Sequence, residues 1–159
     1  LDCPNNRYIN DEQICQAVAA MWTRVGVTTR LNAMPLANFF PKIQREDTSI
    51  YLLGWGVPTL DALYSIQSLL ASKDGEPGNG IWNYGNYSNA RVDALTRTIK
   101  NEGDPERRTA AIHEVLRIYR EDVPHIPLHH QMIPWAMRSN LSIPHMANNQ
   151  PYWRWAKMN

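Results

Sequence analysis

Asp61 and His129 are the residues whose side chains could act together as an acid and a base. Asp61 is a carboxylate that stands alone before an apolar run, and His129 ends a second apolar stretch. Together they would suit a hydrolase that activates water by general base catalysis. An Asp in this position is also typical of a helix cap, and a His beside a cleft is often a hydrogen-bonded structural group. The residue types alone leave both interpretations open.

The histidines do not have the spacing of a metal site. His129 and His130 are adjacent on a predicted strand, where neighbouring side chains point to opposite faces. His113, His125 and His145 have no carboxylate or thiol at metal-ligand spacing. The sequence also contains none of the common nucleotide, hydrolase, zinc-protease or dithiol motifs. We therefore predict a protein that is not an enzyme and has no metal or cofactor, with the hydrolase as the less favoured alternative.

The stretch GWGVPTLD, residues 54–61, is the best candidate for a binding site. It follows a predicted strand and precedes a predicted helix, which is where open α/β sheets place their ligands. Two glycines allow close backbone approach or a positive φ, and Trp55 stands between them. Its indole would offer a flat surface on which a ligand could stack. The alternative is that Trp55 fills the core.

Cys3 and Cys15 are the two cysteines of the chain. A disulfide between them would close a loop of about 13 residues and contribute on the order of 3 kcal/mol to stability. Two cysteines without a histidine at ligand spacing favour a disulfide over a zinc site. We predict the disulfide and an oxidising compartment, with two buried thiols as the alternative.

Length, charge and hydropathy exclude several classes of protein. The chain has 159 residues, which suits one domain, and 43% of them are hydrophobic, as in ordinary globular proteins. The formal charge is +1 and basic residues are not concentrated on any segment, which argues against nucleic-acid binding. No apolar run approaches the roughly 18 residues of a membrane span.

Periodicity and cap residues predict an α/β fold in which helices flank a mixed sheet. Asn10 is the predicted first cap, with Gln13 reaching back, and Gly26 is the predicted stop. Ser88 is a predicted cap of a later helix, and Asp104 with Pro105 starts the longest one. The predicted helices cover 11–25, 36–45, 61–71, 89–101 and 105–123, and the predicted strands cover 27–31, 49–53, 126–129 and 133–137.

Three segments in order carry a resemblance to a known family. They are LGWG followed by Asp61, then GNYSNARVDAL at 85–95, and then the helix from Asp104 that ends in DVPHIPL at 122–128. The helix–Gly26–strand unit near the start also matches. The chain resembles the C-terminal portion of the family-5 extracellular solute-binding proteins, the dipeptide and oligopeptide receptors of ABC importers.

The resemblance implies that residues 1–159 are one lobe of a periplasmic-binding-protein type II-like fold, with return or hinge strands within 125–159. It further implies a periplasmic protein or cell-surface lipoprotein that captures a peptide or related small solute between two lobes. Its partners would be the N-terminal lobe of the same receptor and the membrane permease. A ligand-sensing domain of a transcriptional regulator is the alternative within the same fold.

The resemblance also suggests which residues contact the ligand, and it reveals one position where this chain differs from the family. Trp55 would stack, the backbone of residues 56–59 would offer hydrogen bonds, and Asp61 would pair with a ligand cation. The predicted ligand-binding residues are thus Trp55, Gly56, Val57, Pro58, Thr59, Asp61 and His129. Peptide receptors of this family carry an Asp shortly after the Gly-Trp pair, which binds the α-amine of the ligand. This chain has Val57-Pro58-Thr59 there instead, so we expect a ligand without that amine or a shifted role for Asp61.

Overall fold

The computed structural model describes residues 1–159 as a small sheet flanked by helices, the α/β class that the sequence predicts. The helices are α1 (Asp11–Arg24), α2 (Leu36–Gln44), α3 (Ala62–Ser65), α4 (Ala90–Asn101) and α5 (Pro105–Asp122). A π-helical turn over Ile66–Leu70 continues α3, and a 3-10 turn covers Trp153–Trp155. The strands are β1 (Asp2–Pro4), β2 (Asn32–Met34), β3 (Leu141–Ser142) and β4 (Lys157–Met158). None of the helices combines the length and apolar character that a bilayer crossing requires.

The first sheet is built around β1. This strand pairs in parallel with β2, and on its other edge Asp2 forms a single parallel bridge with Tyr51. The Asp2 N–H donates to the Ile50 carbonyl at 2.9 Å, and the Leu52 N–H donates to the Asp2 carbonyl at 3.0 Å. The strand predicted over 49–53 is thus reduced to one bridged residue, and its side chains are half-buried or exposed instead of buried. The apolar run indicates strand character, but β1 is too short to pair with all of it.

The two ends of α1 show which of its predicted cap and stop residues act in the structure. Asn10 has a left-handed backbone and makes no side-chain cap, so the predicted capping box is wrong. The carboxylate of Asp11 instead accepts hydrogen bonds from the backbone N–H groups of Arg7, Tyr8 and Glu12. These bonds hold the start of the helix in place of the predicted cap. Gly26 ends the helix as predicted, at a φ of +86°. The next strand begins at residue 32 instead of 27, because the Val27 N–H still donates to the Trp22 carbonyl in the turn after the helix and residues 28–31 join no strand ladder.

The main hydrophobic core lies between α3 with its π-turn, α4 and α5. Its eight buried residues are Ile66, Leu70, Val92, Leu95, Ile99, Ala111, Val115 and Ile118. Asp104 caps α5 as predicted, accepting the Arg107 N–H at 2.9 Å. Asn89 caps α4, whereas the predicted cap, Ser88, hydrogen-bonds the hydroxyl of Ser72. The error is one residue, and it arises because Asn and Ser are both good caps.

The strands predicted at 126–129 and 133–137 do not form. No residue from 124 to 137 makes a backbone–backbone hydrogen bond. A strand satisfies its backbone only through a neighbouring strand, and no strand of this chain pairs with that segment. The chain closes with β3 and β4, which pair antiparallel through Leu141 with Met158 and Ser142 with Lys157.

Candidate functional site

Gly54 is required by the close approach of Tyr8. A Cβ at residue 54 would lie 2.7 Å from Cε1 of the Tyr8 ring, closer than side-chain atoms come in folded proteins. Gly56 has no such neighbour within 4 Å and no positive φ, so no contact within the chain explains it. The first glycine therefore serves packing, and the second leaves the backbone of the turn uncovered.

Trp55 is half-buried and is held by the helix that follows the turn. Its indole stacks on Tyr64 with ring centroids 5.3 Å apart, and its Nε1 donates to the Ser65 Oγ at 3.1 Å. Its edge meets Trp82 at 6.0 Å. Trp55 is thus neither a core plug nor an isolated exposed ring, because part of its surface packs and part meets solvent.

Trp55 belongs to a larger group of rings, which we call the aromatic wall: Tyr51, Trp55, Tyr64, Trp82 and Tyr84. Trp82 and Tyr84 are in edge contact at 5.9 Å, and Tyr84 lies 6.4 Å from Tyr51. These rings come from three separate segments of the chain. Sequence reasoning missed Trp82 and Tyr84, although two aromatic residues spaced two apart in a glycine-rich region are a usable signal.

Asp61 caps α3 and forms an ion pair. Its carboxylate accepts the Leu63 N–H at 2.8 Å and the Arg108 Nη2 at 2.9 Å. The Arg108 guanidinium and then the Leu63 N–H hold the pKa of Asp61 below its usual value. A carboxylate with a lowered pKa is a weak base, and Arg108 of α5 already balances its negative charge. The cap interpretation is confirmed, and the partner, which lies 47 residues away, could not be read from spacing.

The turn between Trp55 and Asp61 is exposed and keeps unpaired backbone groups. The Leu60 N–H donates to the Val57 carbonyl at 3.1 Å, which closes the turn. Leu60 has a positive φ of 55° and is 65% exposed, an uncommon combination for a large apolar residue. The backbone groups of Gly56 and Thr59 make no backbone hydrogen bond within the chain. These groups are available to a ligand.

His129, the last predicted site residue, is not hydrogen-bonded to this turn. It is exposed within the segment 124–137 and makes no hydrogen bond, to Asp61 or to any other residue. The nearby His125 is half-buried against Tyr119, with ring centroids 6.0 Å apart, and burial lowers the pKa of its imidazole. The acid–base pair of the hydrolase hypothesis therefore does not form here, and the side-chain partner of Asp61 is Arg108 instead.

The predicted disulfide is present. Cys3 in β1 and Cys15 in α1 are bonded, and both side chains are fully buried. The bond fixes the first helix to the central strand of the small sheet. It therefore stabilises the region that carries Tyr8, the residue that packs on Gly54.

A cavity of about 940 Å³ lies elsewhere, between residues 27–32 and 46–50. None of the predicted ligand-binding residues lines it. The buried carboxylate on its wall, Asp2, is already bonded to the Asn32 amide at 2.7 Å and the Thr48 hydroxyl at 2.6 Å. Because this carboxylate already has partners within the chain and the cavity contains none of the predicted binding residues, the turn at 54–61 remains the better candidate.

Comparison with known proteins rests on structure, since no family model and no curated protein matches the sequence. NikZ from Campylobacter jejuni, solved in complex with Ni(L-His), aligns with a TM-score of 0.63 at 19% identity. The alignment covers 78% of this chain and 25% of NikZ.

HbpA2 from Haemophilus parasuis aligns with a TM-score of 0.72 at 13% identity, covering 99% of this chain and 32% of HbpA2. The chain thus spans about a quarter to a third of the length of these structures. Both neighbours are family-5 solute-binding proteins of ABC importers. The chain therefore shares the fold of one part of the family-5 solute-binding proteins that its sequence resembles.

Proposed function

We propose that this chain is a lobe of the substrate-binding component of an ABC importer. The observation that carries the proposal is the turn at 56–60, which is exposed, has unpaired backbone groups and follows the half-buried Trp55. The turn lies between the bridged residue Tyr51 and α3, and α/β folds bind ligands where the chain leaves the sheet and enters a helix. The fold shared with NikZ and HbpA2 over most of the chain supports the same function.

The segment from 124 to 137 supports the single-lobe organisation. It has no regular secondary structure, it makes no backbone–backbone hydrogen bond in the chain, and it exposes apolar side chains that include Ile126, Leu128 and Met132. Exposed strands with unsatisfied backbone groups pair readily with another strand. We propose that residues 125–159 contain the return strands to the other lobe, and that residues 1–159 form one lobe of the receptor.

The ligand would lie between the two lobes, contacted here by Trp55, by the backbone of residues 56–59 and, on the return side, by His129. Closure would be a shift of population toward the closed state, because the ligand contacts both lobes only there. Peptides, opines, glutathione and metal chelates are the candidate solutes, and NikZ was solved with a metal chelate of histidine. Asp61, paired with Arg108, would contribute as a cap more than as a ligand contact.

The remaining parts of the proposal follow from the importer function. The ligand-loaded receptor would deliver its solute to the membrane permease, which is its second partner. A disulfide between Cys3 and Cys15 suits an oxidising compartment such as the periplasm or the cell surface. No step of this function requires chemistry on the solute, which agrees with the loss of the Asp61–His129 pair.

The test uses the full-length protein encoded by the gene. Mass spectrometry identifies the solute that co-purifies with it, and calorimetry measures binding of that solute to the wild type and to Trp55→Ala. We expect at least a fivefold loss of affinity in this variant, since an aromatic contact is worth roughly 0.5–1.5 kcal/mol beyond its area. The matched control is Trp153→Ala, because Trp153 is 68% exposed and lies outside the turn. Equal affinity in both variants, or turnover of the solute, would contradict the proposal.

A further inference from the structure

The aromatic wall forms a connected surface beside the proposed site. Its rings run from Tyr64 through Trp55, Trp82 and Tyr84 to Tyr51, with successive centroids 5.3, 6.0, 5.9 and 6.4 Å apart. None of the five is buried, and Tyr64 is 38% exposed. Aromatic residues of a core are hidden from solvent, whereas each of these five residues keeps some exposure.

The charged groups near the wall are already paired with each other. Asp61 is bonded to Arg108, and Lys73 is bonded to Glu46 while lying 5.8 Å from the centroid of the Tyr84 ring. Glu46 also accepts a hydrogen bond from the Asn86 amide. A ligand charge that approached Lys73, Glu46 or Oδ1 of Asp61 would compete with these partners. The wall therefore offers flat aromatic contact, and the charged groups beside it are engaged with each other.

We propose that the aromatic wall is a subsite for an uncharged aromatic ring of the ligand, and that the ligand does not present a charged amine there. The inference rests on the proposed function, and it adds the substrate class. A ring that enters the wall would make edge or offset contacts with Trp82 and Tyr84, the geometry that aromatic pairs prefer. Specificity would come from the ring itself, because a methylene chain of similar size lacks these contacts.

Three matched probes test the substrate class with the full-length protein. N-acetyl-phenylalaninamide is neutral and has a ring, phenylalaninamide has the ring with a charged amine, and N-acetyl-leucinamide is neutral without a ring. Calorimetry and saturation-transfer NMR measure their binding. We expect the neutral aromatic probe to bind at least tenfold more tightly than the leucine probe, and the amine to add no affinity. Equal binding of the leucine probe, or tighter binding of the amine, would overturn the inference.

A pair of variants locates the effect. Tyr84→Leu should weaken the neutral aromatic probe about fivefold, and Tyr84→Phe, which retains the ring, should bind it as the wild type does. Tyr152→Leu is the control, since Tyr152 stacks with Trp155 away from the wall. Thermal unfolding of each variant verifies that it is folded. An unchanged affinity in a folded Tyr84→Leu variant would overturn the subsite.

Failure of this inference and failure of the proposed function give different results. If the full-length protein co-purifies with a non-aromatic solute whose binding needs Trp55, the function stands and the aromatic subsite is wrong. If no solute co-purifies and permease-dependent uptake is unchanged when the gene is deleted, the proposed function itself is wrong.

Discussion

The helical body of this chain, which contains α1 to α5, and the C-terminal segment that follows α5 differ in how their backbone N–H and C=O groups are hydrogen-bonded. All the buried residues lie at or before Ile118, and eight of them form the core around α4 and α5. After Ile118 no residue is buried, and residues 124–137 make no backbone–backbone hydrogen bond. Helices complete their hydrogen bonds with residues four positions away, whereas a strand needs a neighbour that can lie anywhere in the sequence. The helical region thus satisfies its backbone within the chain, whereas residues 124–137 do not.

Hydrogen exchange should separate the two regions by the largest margin. We expect backbone amides within α4 and α5 to exchange roughly a thousandfold or more slowly than those of 124–137 in the 159-residue chain. In the full-length protein the amides of 124–137 should gain protection, because the proposed other lobe supplies a strand. Fast exchange of 124–137 in both proteins would contradict the proposed return strands.

Core truncation should give the next largest difference. Ile99→Ala removes a fully buried side chain between α4 and α5 and should lower the free energy of unfolding by about 2–5 kcal/mol. Met132→Ala, at a residue that is 87% exposed, should change it by less than about 0.5 kcal/mol. Urea unfolding of both variants measures the contrast. Similar losses in the two would mean that the C-terminal segment packs more tightly than its exposure indicates.

Removing the disulfide should weaken the N-terminal part of the helical body. The bond closes a loop with a sequence separation of 12, so its loss in the Cys3→Ala, Cys15→Ala double variant should cost about 3 kcal/mol. Dithiothreitol should destabilise the wild type by a similar amount and leave the double variant unchanged, which is the control. An equal response of both proteins to the reductant would show that it does not act through this bond.

A small pH effect should arise at His125, where the two regions meet. Burial against Tyr119 lowers the pKa of this imidazole in the folded state, so the folded protein binds fewer protons than the unfolded one. Its contribution to stability is therefore complete above the unfolded pKa of about 6.5 and is lost as the pH falls toward the lower, folded value.

The measurement is the difference in unfolding free energy between pH 7.5 and pH 5.5, where the carboxylates with lowered pKa values remain ionised. We expect His125→Gln to reduce this difference, and the exposed His113→Gln to leave it unchanged. Equal pH dependence in the wild type and the His125→Gln variant would remove the imidazole as its cause.

Local signals predicted the helices well and the strands poorly. Asp104 with Pro105, Gly26 and Asp61 mark helix ends in the structure as their types predict, because a cap acts on backbone groups two or three residues away. The apolar segments at 49–53, 126–129 and 133–137 have the composition of strands. Whether they form strands depends on a partner, and the chain offers only one bridged residue to the first and none to the others.

In the candidate site, too, the sequence revealed the residue types but not the contacts between distant segments. The glycine, tryptophan and aspartate of the turn at 54–61 were visible in the sequence, as was the resemblance that gives the turn its proposed role. The contacts of Trp55 with Tyr64 and Trp82 and of Asp61 with Arg108 were not, since they join separate segments. The approach of Tyr8 to Gly54 spans 46 residues, and no local pattern indicates it.

The sequence by itself determined the fold class, most helix boundaries, the pairing of Cys3 with Cys15 and the position of the turn, because each depends on residue type or on neighbours close in the chain. Tertiary structure alone decided that Asp61 is paired with Arg108 and that five aromatic rings meet beside the turn. It also decided that the predicted strands after residue 124 stay without partners. These outcomes depend on which distant segments come together, a property that spacing along the chain does not encode.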